Sequence, residues 1–249
     1  MTRTREHFHI LKHAKRYNHK TGKFTINITY ETAPPQPTQR VTAIAESFGL
    51  GLDQTQKFTI YDNVQLKISQ NDIVYITGDS GSGKTLLLKT LEKDLKQDMH
   101  TTTINTNQIK PKPNTPIIET IGKTLTEALE LLSKAGLNDA YLLLRTYQQL
   151  SDGQKYRYKT AKMMETRKQF WIMDEFAATL DRDTAKTVAY NLQKLARQQN
   201  KAAIIATTHT DLLKDLNPSI HITKQYGKQI KITHHPNKPA QTCNLTQQM

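Results

Sequence analysis

The chain has 249 residues, a single cysteine (Cys243), a formal charge of +13, 36% hydrophobic residues and a mean hydropathy of -0.65. That length suits one domain with appendages or two small ones. One cysteine excludes an internal disulfide and a cysteine-built zinc site, and no apolar run reaches the roughly 18 residues of a membrane span. The basic N-terminus lacks the apolar centre of a secretory signal, so a cytoplasmic protein is expected.

Charge gathers at the ends. Residues 1–40 carry a formal +6 and residues 221–249 a formal +4. Basic ends of this kind suit nucleic acid, an anionic membrane surface or plain solvation. His7, His9, His13 and His19 stand in polar surroundings with no carboxylate or cysteine that would complete a metal site. Residues 24–30 alternate apolar and polar, which predicts a half-buried strand. Pro34, Pro35 and Pro37 then read as a linker. Residues 41–76 read as strands, with 58–61 and 64–68 separated by a turn at Asp62-Asn63 and another turn at Asn71-Asp72.

The apolar run Ile73, Val74, Tyr75, Ile76 leads into Gly78, Asp79, Ser80, Gly81, Ser82, Gly83, Lys84 and Thr85. This satisfies G-x-x-x-x-G-K-[ST], the phosphate-binding loop. Glycines let the backbone wrap an anion with its N–H groups inward. A helix start adds its positive end, Lys84 suits the β- and γ-phosphates, and the Thr85 hydroxyl suits Mg²⁺. Leu87, Leu88, Leu91 and Leu95 then fall on one helical face. Residues 101–109 read as an edge strand, and Pro111, Pro113 and Pro116 as a loop. Thr124 and Glu127 have capping-box spacing for a helix with Leu125, Leu129 and Leu132 on one side, ended by Gly136. A second helix is expected over 139–149.

Ser151 and Gln154, with Gly153 between them, have the spacing of an N-cap and its N3 partner. Such a helix start is an ordinary cap and equally an anion site. Phe170 to Met173 is an apolar strand that ends on Asp174 and Glu175. Asp174 suits Mg²⁺, and Glu175 is placed to polarise a water. Asp181 precedes a helix with an apolar stripe at Ala185, Val188, Ala189, Leu192, Leu195 and Ala196. Residues 202–208 read as a buried strand with His209 at its end, residues 220–233 as a hairpin turning at Tyr226-Gly227, and the last residues as a polar tail.

Taken together these motifs resemble the ATP-binding-cassette (ABC) ATPases. Gly78 to Thr85 match Walker A, residues 150–154 the family signature with Asp152 where glycine is commonest, Asp174-Glu175 Walker B with its catalytic glutamate, Asp181 the D-loop, and His209 the switch histidine. More narrowly, residues 75–85, 150–157 and 174–183 resemble archaeal ABC ATPases often fused to an acetyltransferase-like domain. The resemblance implies an α/β phosphate-loop fold. It has a mostly parallel core sheet, an antiparallel β subdomain and a short helical subdomain. It also implies ATP and Mg²⁺ as ligands, with Thr85, Asp174 and Glu119 as metal contacts. Glu119 stands in for the family's Q-loop glutamine in preference to Gln108, and Phe48 for its adenine-stacking aromatic. The expected organisation is a basic extension over 1–40, the ATPase domain over 41–234 and a tail over 235–249. The implied assembly is an ATP-dependent head-to-tail homodimer, in which Ser151, Gly153 and Gln154 of one copy meet the γ-phosphate held by the other. Nucleic acid or a nucleoprotein complex is the first expectation for what the ATPase drives; the alternatives are a transporter whose membrane subunits are separate chains and a slow ATP-dependent switch.

Overall fold

The computed structural model describes residues 8–32, 35–52, 56–97 and 99–236; the first seven residues, Pro34 and the tail from 237, which includes Cys243, lie outside the described residues. The chain forms two compact units, Met1–Lys67 and Ile68–Met249. The division falls at residue 67 rather than near residue 40. The reason is strand pairing: the sheet begun in the basic extension is completed only by residues 56–66.

In the first unit, β1 (Phe8–Asn18), β2 (Lys23–Thr32) and β3 (Gln56–Leu66) form an antiparallel sheet in that order. Among the described side chains, Phe24, Ile26, Ile28, Tyr61, Val64 and Leu66 of this sheet are buried. The turn expected at Asp62-Asn63 is a bulge inside one continuous strand. Ile26 pairs with Val64 and Ile28 with Tyr61, so Asp62 and Asn63 both oppose Asn27. Asn63 takes φ 47°, and its N–H donates to Asn27 Oδ1. An asparagine tolerates that left-handed backbone, and an extra residue in one strand needs it. The strand reading of 41–76 also fails at its start, where α1 (Gln39–Phe48) is a helix capped by the Thr38 hydroxyl on Val41 N–H and ended by Gly49 in the left-handed region.

The second unit is built on a six-stranded sheet. Its strands are β4 (Ile73–Gly78), β5 (Thr103–Asn105), β6 (Phe170–Met173), β7 (Ala202–Ala206), β8 (Ile220–Lys224) and β9 (Lys231–His234). Their order is β5-β6-β7-β4-β8-β9, parallel except for β9, which returns antiparallel on β8 through the expected hairpin. Residues 73–77 of β4 are buried, as both-face coverage of a central parallel strand demands. α2 (Lys84–Gln97) buries Leu87, Leu88, Leu91 and Leu95, and α6 (Arg182–Gln198) buries its expected stripe. Because the strands are parallel, the loops that follow β4, β6 and β7 all emerge at one edge of the sheet, the usual place for a ligand in an open α/β sheet.

The segment between β5 and β6 is helical. α3 (Leu125–Lys134) starts on Thr124 as expected, but its buried residues are Ala128, Leu131 and Leu132. Leu125 and Leu129 are 65% and 42% exposed, so of the expected leucine stripe only Leu132 faces the core. The helix expected over 139–149 is broken into α4 (Ala140–Leu143) and a single 3₁₀ turn at Tyr147–Gln149. The Arg145 carbonyl turns away to accept Ile117 N–H at 2.9 Å, which a continuous helix would have forbidden. α5 (Asp152–Met164) and α7 (Leu213–Leu216) complete the unit.

Candidate nucleotide site

Gly78 closes β4 with φ 147° beside the main chain of Lys224 in β8; a Cβ there would lie 1.7 Å from the Lys224 carbonyl oxygen. Only glycine lets the two strands meet at this point. Gly81 and Gly83 also hold positive φ, so the loop curls back on itself before α2 begins. The Lys84 ammonium lies inside the curl, donating to the Gly78 and Asp79 carbonyls at 2.9 and 2.6 Å. Burial pulls its pKa down, against the opposing pull of Asp79, Asp174 and Glu175. Asp79 turns its carboxylate outward to accept Tyr226 N–H at 3.1 Å, which ties the loop to the β8–β9 hairpin.

Asp174 and Glu175 follow β6. The Thr85 hydroxyl donates to Asp174 Oδ1 at 3.2 Å, and the Glu175 N–H donates to the same oxygen at 3.1 Å. Thr85 and Asp174 thus present a hydroxyl and a carboxylate side by side, a donor pair that suits a hard divalent cation whose other ligands are phosphate oxygens and water. Among the described residues no group of three or more His, Cys, Asp or Glu forms a self-sufficient metal site. Glu175 and Ala177 take φ 49° and 59°. Non-glycine residues in that region cost on the order of 1–3 kcal/mol each and collect where function fixes the backbone. The turn is held by Phe176, fully buried, whose N–H donates to the Ala206 carbonyl at 2.9 Å and whose carbonyl accepts the Thr207 hydroxyl at 2.9 Å.

His209 follows β7 and is half-buried. Its N–H donates to Thr207 Oγ1 at 3.2 Å, and its carbonyl accepts the Tyr75 hydroxyl. Asp211 in the same loop accepts Arg182 Nη1 at 2.9 Å, which joins it to the start of α6. Asp181 caps that helix through Thr184 N–H at 2.9 Å, and this bond leads the causes that lower its pKa.

Ser151 caps α5 in a complete capping box. Gln154 N–H reaches the Ser151 hydroxyl at 3.4 Å, and Ser151 N–H reaches Gln154 Oε1 at 2.9 Å. Gly153 lies against the loop that carries Glu175, with a Cβ position 2.9 Å from the Thr179 carbonyl oxygen. Arg157 donates to the Gly136 carbonyl at 2.6 Å and locks α5 to the end of α3.

Glu119 is exposed in a 3₁₀ turn, Ile117–Thr120, and takes no part in the Thr85–Asp174 bond. Gln108, three residues beyond β5, donates its amide to Glu92 on α2 at 3.0 Å. Glu92 also accepts Asn105 at 2.9 Å and Lys96 at 2.6 Å. Burial works to raise its pKa, but these bonds outweigh it and hold the carboxyl below its ordinary value. Phe48 ends α1 in the first unit, 73% exposed. Sequence reasoning missed Tyr75, Thr207 and the Arg182–Asp211 pair. The only signal was a phenol inside an otherwise aliphatic strand.

Residues 61–125 match the family model described as ABC transporter. HrtA of Staphylococcus aureus, an ATP-binding protein assigned to hemin import, is 27% identical over 201 residues, covering 67% of this chain and 88% of HrtA. LolD 1 of Rhodospirillum rubrum, the ATP-binding protein of a lipoprotein-releasing system, is 27% identical over 230 residues, covering 79% of this chain and 99% of LolD. Among solved structures, the dimeric ATP-binding cassette MJ0796 with ADP and Pi superposes with a TM-score of 0.56 at 19% identity, covering 72% of this chain and 92% of that one. With the parallel sheet, the phosphate loop at its centre and these relatives in hand, the chain contains an ATP-binding cassette domain of the ABC ATPase fold, homologous to HrtA and LolD.

Proposed function

We propose that this chain is the ATP-hydrolysing subunit of a membrane transporter whose spanning subunits are separate chains. The observation that carries the chemistry is the convergence of Lys84, the Thr85–Asp174 pair, Glu175 and His209 on one sheet edge. In this reading the loop amides and Lys84 hold the β- and γ-phosphates. Thr85 and Asp174 would hold magnesium, which when bound screens the phosphate charge. Glu175 orients and polarises the attacking water, and His209 contacts the γ-phosphate. Ser151, Gly153 and Gln154 belong to the other half of a head-to-tail pair and meet the γ-phosphate of the partner copy. ATP then joins two half-sites, and hydrolysis removes the joint. Glu119 and Phe48 keep their proposed roles at the metal and the base. The narrower likeness to the archaeal acetyltransferase-fused cassettes rests on the phosphate loop, signature and Walker B stretches alone.

Two observations favour a membrane partner over nucleic acid. HrtA and LolD are named for import and release systems. The helical segment also exposes Leu125, Leu129, Tyr141 and Leu144, between 42% and 79%, large apolar residues that a protein partner would cover. No helix among the described residues is long and apolar enough to cross a membrane. The cassette then works on the cytoplasmic side. The basic ends suit nucleic acid, but neither HrtA nor LolD is named for an action on it.

The first test is Glu175→Gln with ATP in size-exclusion chromatography. The expected result is a trapped dimer that binds ATP and turns over at least about a hundredfold more slowly; a monomer only would overturn the dimer reading. The second is purification from detergent-solubilised membranes. A polytopic protein should co-purify and be lost in a Leu125→Glu, Leu144→Glu variant. Stimulation of the ATPase by DNA or RNA, with no such partner, would overturn the transporter reading.

A further inference from the structure

Tyr75 is the one phenol in the strand that leads into the phosphate loop, and it is fully buried. It pairs across the sheet with His221 of β8, and the two rings stack with centroids 5.2 Å apart and 20° between planes. His221 Nε2 in turn lies 2.9 Å from the Thr77 hydroxyl, one pleat further along β4. The Tyr75 side chain is therefore locked by packing from one side and points to the loop after β7. There its hydroxyl donates to the His209 carbonyl. Burial keeps the phenol protonated by pushing its pKa upward, so it remains a donor throughout the working pH range.

The rest of the turn is fastened by Thr207, whose hydroxyl accepts His209 N–H, and by Asp211 on Arg182. Neither of these bonds reaches the His209 carbonyl, which only Tyr75 engages among the described residues. We infer that Tyr75 is a positioning residue for the switch histidine: it ties the main chain of His209 to the strand that presents the phosphate loop, so that the imidazole and the bound phosphate are held in one frame. An aliphatic residue would fill the same core without making this tie. The inference rests on the proposed role of His209.

Tyr75→Phe keeps the ring and the His221 stack and removes only the hydroxyl. The expected result is a kcat for ATP hydrolysis lower by about fivefold to twentyfold, with KM within about twofold, the size one positioning hydrogen bond supports. In a His209→Ala background the same change should leave kcat unaltered, because its effect passes through His209. Hydrogen exchange gives a readout independent of turnover: amides 208–212 should exchange several-fold faster in Tyr75→Phe, with amides 78–85 unchanged. A wild-type kcat, an unaltered exchange of 208–212, or an equal further loss in the His209→Ala background each overturns the inference. A His209→Ala variant at the wild-type rate overturns the role of His209 and the inference with it. A wild-type chain without ATPase overturns the proposed function, and the exchange measurement then decides the tie by itself.

Discussion

Gly153→Ala separates what the signature helix does for stability from what it does for the catalytic loop. The added methyl would meet the Thr179 carbonyl oxygen at 2.9 Å and Leu180 Cδ2 at 3.5 Å. Ordinary contact requires the Thr179 oxygen to retreat by about 0.5 Å. Thr179 is exposed and Leu180 half-buried, so the loop can yield at small cost. Replacing glycine in the first turn of α5 also gains up to about 1 kcal/mol of helix propensity. The two effects nearly cancel, and the variant should unfold within about 4 °C of wild type. Activity will not be spared. The displaced loop begins at Glu175, which is already held at φ 49°, and a shift of about half an ångström at a reacting group costs on the order of tenfold in rate. Steady-state ATPase and thermal melts on the same preparation decide the matter. An ATPase rate within twofold of wild type would show that the Gly153–Thr179 contact does not set the loop.

Other substitutions test neighbouring claims. Ser151→Ala removes the N-cap of α5 and should cost about 1 kcal/mol, a drop of roughly 2–4 °C in melting temperature. In the proposed dimer it also lowers ATPase far more than ATP binding, and full ATPase in this variant would remove Ser151 from the site. The pH dependence of stability tests His221. Burial first, and His235 second, hold its pKa below the ordinary histidine value. The unfolded chain therefore takes up a proton first as the solution is acidified. Stability from this group is complete above about pH 6.5 and is lost as pH falls toward the folded value. His221→Phe, which keeps the stack on Tyr75, should flatten the melting curve between pH 7 and pH 5; a wild-type slope would assign the effect to other groups.

What the sequence disclosed follows from how local each determinant is. The phosphate loop, the Ser151 capping box, the α6 stripe and the β8–β9 hairpin each depend on residues within a few positions of one another, so spacing alone revealed them. The bulge in β3 depends on Asn27, 36 residues from Asn63, and without that partner Asp62-Asn63 reads as a turn. The helix α1 was legible in its Thr38 and Gly49 caps, but the β-branched residues between them suggested strand. Leu125 and Leu129 repeat at helical spacing and yet stay exposed, because periodicity gives a face and not the object that covers it. Tyr75 meets His209 134 residues away, a distance at which sequence pattern carries no information.

The long-range contacts also explain why the site is more than a list of motifs. Gly153 of the signature helix touches the carbonyl of Thr179, in the loop that Glu175 begins. That loop ends at Asp181, and the next residue, Arg182, binds Asp211. Asp211 shares a turn with His209, whose carbonyl returns to Tyr75 on the phosphate-loop strand. The circuit closes without a gap longer than one side chain. In the proposed dimer a signature and a phosphate loop of the same copy serve different ATP molecules, and this circuit offers a physical route between the two sites. Its links are a van der Waals contact, an ion pair and a buried hydrogen bond. Salt will weaken the exposed Arg182–Asp211 pair and leave the Tyr75 bond untouched. Communication between sites that fell with ionic strength while single-site ATP binding did not would place the coupling in the ion pair.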